Sequence, residues 1–144
     1  MRNPGRPRYT EYALLAAWLI ALIATLAALY ASEILKMPVC TLCWDQRVFI
    51  FPLAVLLGIA TFRNDAGVAV YAIPLAALGA LIALYHYLIQ KIAALAPYSP
   101  CQADSHGVSC EKIDWQLWGF VTFPLLSLIS CLLIIILLAI AAKK

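Results

Sequence analysis

Four long runs of this chain carry almost no charge, and that pattern limits the fold more than any other feature. The first, Tyr12 to Ser32, is 21 residues long. At about 1.5 Å rise per residue such a helix crosses a hydrocarbon layer of ~30 Å. The second reaches a comparable length if its helix begins near Leu42, just after Pro38, and runs to Phe62. A proline suits a helix entrance, where its missing N–H has no partner to lose. The third run is Val68 to Gln90 and the fourth Trp118 to Ala142. Apolar residues of the AVILMFWYC set make up 65% of the 144 residues and charged residues 12%, too few to give an ordinary water-facing surface. The reading is an all-α membrane protein. It has a single four-helix domain over residues 1–144, with spans at about 12–32, 42–62, 68–90 and 118–142. Pro52, Pro74 and Pro124 fall inside runs two to four, which neighbouring helices in a membrane bundle can tolerate.

A signal peptide is the competing reading of the first run, since Arg2, Arg6 and Arg8 precede it. The run is too long for a signal core, and no small-x-small cleavage pattern follows it. With four spans, Arg2, Arg6, Arg8, Arg63, Lys143 and Lys144 share one side, and Lys36, Arg47, Lys91 and Lys112 share the other. The first group crowds the span ends, so both termini are expected in the cytoplasm. The loops at 33–46 and 91–117 then face outward. The net charge of +3 is explained by these topological clusters and gives no footprint for nucleic acid.

Orientation decides how the five cysteines are read, because thiols on an oxidising face pair or exchange. Cys40 and Cys43 form a C-x-x-C pair where the second helix begins. A helix N-terminus favours a thiolate, and Arg47, four residues after Cys43, shares its face. Taken alone, the pair also fits a structural disulfide or half of a zinc site. Cys101 and Cys110 close a short segment in the second outer loop, and a structural staple is the ordinary reading of such a pair. Opposite a C-x-x-C, an exposed loop disulfide is also open to thiol exchange. Cys131, deep in the fourth span, reads as a packing residue.

His86, in Tyr85-His86-Tyr87, falls near the outer end of the third span at about the depth of Arg47. A histidine and an arginine converging there could hold the two carbonyl oxygens of a quinone and help protonate it on reduction. A histidine simply bonded between helices fits the same position. Trp44, Tyr85 and Tyr87 could flank a flat ring, or serve only as interface aromatics. His106 reads as a solvated loop residue.

The run Val39-Cys40-Thr41-Leu42-Cys43-Trp44-Asp45-Gln46-Arg47 closely resembles the signature of the DsbB disulfide oxidoreductases. Its Trp-x-Gln-Arg ending and the stretch Tyr85-His86-Tyr87-Leu88-Ile89-Gln90-Lys91 are most similar to the short BdbC-type branch. The resemblance implies an enzyme of the cell membrane with its site on the extracytoplasmic face. It would reoxidise an extracytoplasmic thioredoxin-fold thiol oxidase, DsbA/BdbD-like, and pass the electrons to a quinone, ubiquinone or menaquinone. Cys40 and Cys43 would be the quinone-coupled pair, with Cys43 beside Arg47 as the thiolate at the quinone. Cys101 and Cys110 would be the pair that meets the partner, Cys101 receiving the attack and Cys110 passing it to Cys40. Trp44, Arg47 and His86 would complete the quinone site, and no resident metal is implied. The eight residues between Cys101 and Cys110 are fewer than in the better-known proteobacterial form, which limits how far Cys110 can travel.

Two other readings use the same residues. The four outer cysteines could hold one zinc as a tetrathiolate in a scaffold or assembly factor. Quinone reductases of the vitamin K epoxide reductase type also combine four helices with two cysteine pairs. Their quinone-side C-x-x-C opens a later helix, however, and here it opens the second.

Overall fold

A computed structural model describes residues 8–37, 39–92, 110 and 121–143. Four long helices fill these residues: α1 (Arg8–Leu29), α2 (Thr41–Arg63), α3 (Ala69–Lys91) and α4 (Phe123–Ala142). Each is long and apolar enough to cross a membrane. Most of their apolar side chains point outward: Leu19, Ile23, Val55, Phe62, Val70, Leu81 and Ile136 are all exposed. Such an exterior is unfavourable in water and favourable in lipid, so the protein is a multi-pass membrane protein.

Around the bundle each helix packs on the next, α1 on α2, α2 on α3, α3 on α4 and α4 back on α1, while α2 and α4 face each other diagonally with little contact. Close approach comes from small residues. Ala13, Ala17 and Ala21 recur at helical spacing along α1, and Ala69, Ala72, Ala76, Ala80 and Ala83 line α3. Gly79 is the tightest of these positions. A Cβ there would stand 3.3 Å from Cβ of Phe49 and 3.4 Å from Sγ of Cys131. Cys131 is 0% exposed and fills this seam as a free thiol.

The helix ends depart from the expected bounds in two places. α1 does not stop near Ser32 but widens into a π-helical turn over Tyr30–Ile34, capped by Leu35 and followed by Lys36 in the left-handed region at φ 51°. Such a turn leaves backbone carbonyls for other donors, and Ala28 O accepts from both Ser32 Oγ and Arg47. α4 begins at Phe123, and the expected start at Trp118 falls outside the described residues. Pro124 therefore stands in the first turn of α4 and not in its interior, where it removes no helical hydrogen bond. α2 ends on Asn64, in the left-handed region at φ 55°, and a short 3₁₀ turn, Ala66–Val68, leads directly into α3. Asp65 accepts a hydrogen bond from the Gly67 N–H at the head of that turn. The tight connection forces α2 and α3 antiparallel, so the start of α2 and the end of α3 meet at the opposite rim.

Candidate redox site

At that rim the backbone of Cys40 is extended and caps α2, its carbonyl accepting from the N–H groups of Cys43 (3.1 Å) and Trp44 (3.2 Å). This first turn folds the two cysteines together, with their sulfurs 3.0 Å apart and sharing a hydrogen bond. Both are free thiols, Cys40 buried and Cys43 partly so. His86 on α3 is 1% exposed, and its Nε2 lies 3.7 Å from the Cys40 sulfur. The Cys40 thiol is lowered to about 5. The hydrogen bond from Cys43 is the main cause, the hydrogen bond and charge of His86 add to it, and burial opposes them. The sequence reading made Cys43 the thiolate, whereas the histidine stands against Cys40.

Two amides hold the His86 ring. Gln46, one turn after Cys43, places Nε2 3.0 Å from Nδ1, and Gln90, one turn after His86, places Nε2 3.5 Å from Nε2 of the ring. A half-turn of either amide exchanges its donor for its acceptor, so either tautomer of the ring can be satisfied. An imidazole held in this way can carry a proton on either side without leaving its place. Oε1 of Gln90 is buried without a partner, as is Oγ1 of Thr122 at the head of α4.

All of these groups face one cavity of about 460 Å³. Ile20, Ile23 and Ala24 of α1, Ile50 of α2 and Leu126 and Leu133 of α4 make it apolar, while Cys40, Cys43, Gln46, Arg47, His86, Gln90 and Thr122 give it a polar end. Its volume is that of a small-molecule site. An apolar slot whose polar end offers the unpartnered Thr122 hydroxyl, the Gln90 amide, Arg47 and a histidine suits a flat ring with carbonyl oxygens at its edge. The residues present therefore fit a quinone.

Arg47 lines the cavity and its guanidinium is firmly held. It donates to Ala28 O at 2.8 Å and lies over the Trp44 ring, 5.1 Å from its centroid. Trp44 is 56% exposed and does not line the cavity, so it supports the arginine from outside and does not flank the slot. Tyr87 lies beneath the ammonium of Lys91, and Tyr85 is exposed; neither lines the cavity.

Cys110 is disulfide-bonded, 1% exposed and packed in one apolar cluster with Cys40, Leu42 and Ile89, against which Cys43 also rests. The expected exposure of the loop disulfide therefore does not hold at Cys110, which is buried in the same cluster as the Cys40 it was expected to reach. Cys101 and His106 lie outside the described residues. A half-cystine cannot be a thiolate ligand, so the four-cysteine zinc reading does not match this arrangement. Among the described residues, the ligand atoms of Cys40, Cys43 and His86 do lie within 4.8 Å of one another, close enough to share a metal ion.

The sequence model of the family described as "Disulfide bond formation protein DsbB" matches residues 10–141. The chain belongs to the DsbB family. A "Probable disulfide formation protein" of Coxiella burnetii (strain RSA 493 / Nine Mile phase I) is 49% identical over 123 residues, covering 85% of this chain and 82% of that protein. The "Probable disulfide formation protein C" of Bacillus cereus (strain ATCC 14579) is 49% identical over 128 residues, 88% of each chain. The "Disulfide bond formation protein C" of Bacillus subtilis (strain 168) is 47% identical over 125 residues, 85% of this chain and 87% of that one. No solved structure matches. As a DsbB-family member the protein is a membrane disulfide oxidoreductase, and the short branch expected from the Trp-x-Gln-Arg ending is the one its Bacillus relatives carry by name.

Three residues of this DsbB-family site had no role assigned from sequence. Gln46 stood inside the recognised motif, and only its spacing of three from Cys43 hinted at a shared face. Gln90 follows His86 by four, the interval that puts two side chains together on a helix. Thr122 gave no signal, because its burial depends on where α4 packs.

Proposed function

We propose that this protein reoxidises an extracytoplasmic thioredoxin-fold thiol oxidase and delivers the electrons to a membrane quinone. The observation that carries the reading is the gathering of a disulfide-bonded Cys110 into one apolar cluster with a free Cys40–Cys43 pair that opens on a quinone-sized cavity. Both termini lie in the cytoplasm, and the cysteine rim faces outward, as the positive residues at the other rim support.

In this mechanism the partner's thiolate attacks the Cys101 sulfur of a Cys101–Cys110 disulfide, forming a mixed disulfide and releasing Cys110 as a thiolate. Cys110, buried in the same cluster as Cys40, attacks the Cys40 sulfur of an oxidised Cys40–Cys43 pair, and Cys43 leaves as a thiolate. The partner's second thiol then displaces Cys101, which leaves the partner oxidised. Cys101 attacks Cys110, restores the loop disulfide and releases Cys40. One pair of electrons now resides on Cys40 and Cys43, the state described above. A bound quinone supplies the sink for two electrons and two protons. His86 stands beside the thiols on the cavity wall to move a proton, with Gln46 and Gln90 holding its ring. Arg47 fixes a positive charge at the polar end, and the apolar walls exclude water.

The test is steady-state quinone reduction by the purified protein with a reduced thioredoxin-fold protein as donor. Wild type is expected to turn over with ubiquinone or menaquinone analogues. Cys→Ser variants at Cys40, Cys43, Cys101 and Cys110 are each expected to lose at least 100-fold, roughly the scale of losing a covalent step. Full turnover in any one of the four would reject the relay.

A further inference from the structure

We propose that the reduced Cys40–Cys43 pair and His86 form a binding site for a thiophilic divalent cation of the zinc type, and that oxidation of the pair abolishes it. Three donor atoms of the right softness already converge from two helices, the sulfurs 3.0 Å apart and Nε2 of His86 3.7 Å from one of them. Tetrahedral zinc with bonds of about 2.3 Å to sulfur and about 2.0 Å to nitrogen sets sulfur–nitrogen edges near 3.6 Å and sulfur–sulfur edges near 3.8 Å. The Cys40–His86 edge is thus at its bound length. The sulfur–sulfur edge must open by about 0.8 Å, which a small rotation of the half-buried Cys43 side chain supplies.

A second observation points the same way. A metal-bound imidazole has its other nitrogen held by a polar partner, and Gln46 occupies that position at 3.0 Å from Nδ1. With the Gln46 amide turned to accept from Nδ1–H, the Nε2 lone pair faces the sulfurs. The fourth coordination position opens on the cavity, where the unpartnered Oε1 of Gln90 can accept from a metal-bound water. Charge also balances. Two thiolates neutralise a divalent ion, and the Arg47 guanidinium is occupied by Ala28 O and the Trp44 ring. Both sulfurs bind as thiolates, so binding releases the proton that the pair still holds and moves no electron. In the disulfide neither sulfur is a thiolate, so the site exists only after the pair has been reduced. Its consequence rests on the proposed function: the cation would hold the electron-loaded form and occupy the polar end of the quinone cavity, inhibiting turnover in competition with quinone.

Zinc binding is measured on the full-length protein in detergent without quinone, by competition with a chromophoric chelator. The Cys101→Ser/Cys110→Ser variant removes the other thiol pair. One zinc ion per chain is expected when Cys40 and Cys43 are reduced, and none when they are oxidised. His86→Gln is expected to weaken binding at least about tenfold and Gln46→Leu about 10–100-fold. X-ray absorption of the zinc-loaded wild type is expected to give two sulfur and at least one nitrogen neighbours, which keeps the test open if a variant fails to fold. Equal binding in both redox states, unchanged affinity in both variants, or a shell of sulfur alone would overturn the site. Because quinone is absent, failure here leaves the quinone assay untouched, and failure of that assay leaves this binding measurement standing.

Discussion

Replacing Gln46 with leucine removes the hydrogen bond that holds Nδ1 of a His86 ring which is itself almost fully buried. Leucine keeps most of the volume but offers nothing to the ring, so a buried imidazole nitrogen loses its partner at a cost of about 1–3 kcal/mol. If that cost falls on the step in which His86 must present Nε2 to Cys40 at the cavity wall, the rate drops about fivefold to 150-fold, at 1.36 kcal/mol per decade. The assay is single-turnover quinone reduction by protein whose Cys40–Cys43 pair has been reduced beforehand, followed by stopped-flow absorbance. Exchange of the loop disulfide with a reduced partner is measured in parallel and is expected to be unchanged. Gln46→Glu keeps an acceptor for Nδ1–H and is expected to recover most of the loss. A Gln46→Leu variant that reduces quinone at the wild-type rate would refute the role given to this hydrogen bond, and an equal loss in both reactions would show that the substitution merely disturbs the rim.

Arg47→Ala removes the bond to Ala28 O and the contact with Trp44, and is expected to slow quinone reduction at least tenfold, the scale of a positioned charge of about 1.4 kcal/mol, while sparing partner oxidation in the same stopped-flow pair. Gly79→Val drives a side chain into Phe49 and Cys131; thermal unfolding in detergent is expected to show a loss of about 1–3 kcal/mol from overpacking. Cys131→Ser removes a thiol that has no part in the relay, and steady-state turnover is expected to stay within about twofold, well under the 1.4 kcal/mol that a tenfold change requires.

The membrane bundle was legible in the sequence because the cost of burying charge in lipid leaves long uncharged runs, and those runs name the helices directly. Their ends were less so. The π turn at Tyr30–Ile34 follows no residue signal, and Phe123 begins α4 because Pro124 prefers a first turn. At the site, local patterns did well and long-range ones poorly. The spacing of Cys40, Cys43 and Arg47 along one helix could be read directly, and so could the place of His86 at the same rim as that pair. That His86 would stand against Cys40, or that Trp44 would lie outside the cavity, depends on how α2 and α3 rotate against each other. That rotation is set by Ala76, Gly79, Ala80 and Ala83, small residues whose packing partners a sequence does not name. The amide clamp of Gln46 and Gln90 was missed for the same reason.

The relay stands on Cys110 and Cys40 being able to bond. In a Cys43→Ser/Cys101→Ser variant each of them loses its own partner, so oxidation in membranes followed by non-reducing peptide mass spectrometry reads the contact directly. A Cys40–Cys110 cross-link in most of the protein is the predicted result. Free thiols at both positions after complete oxidation, or cross-links only between separate chains, would contradict it.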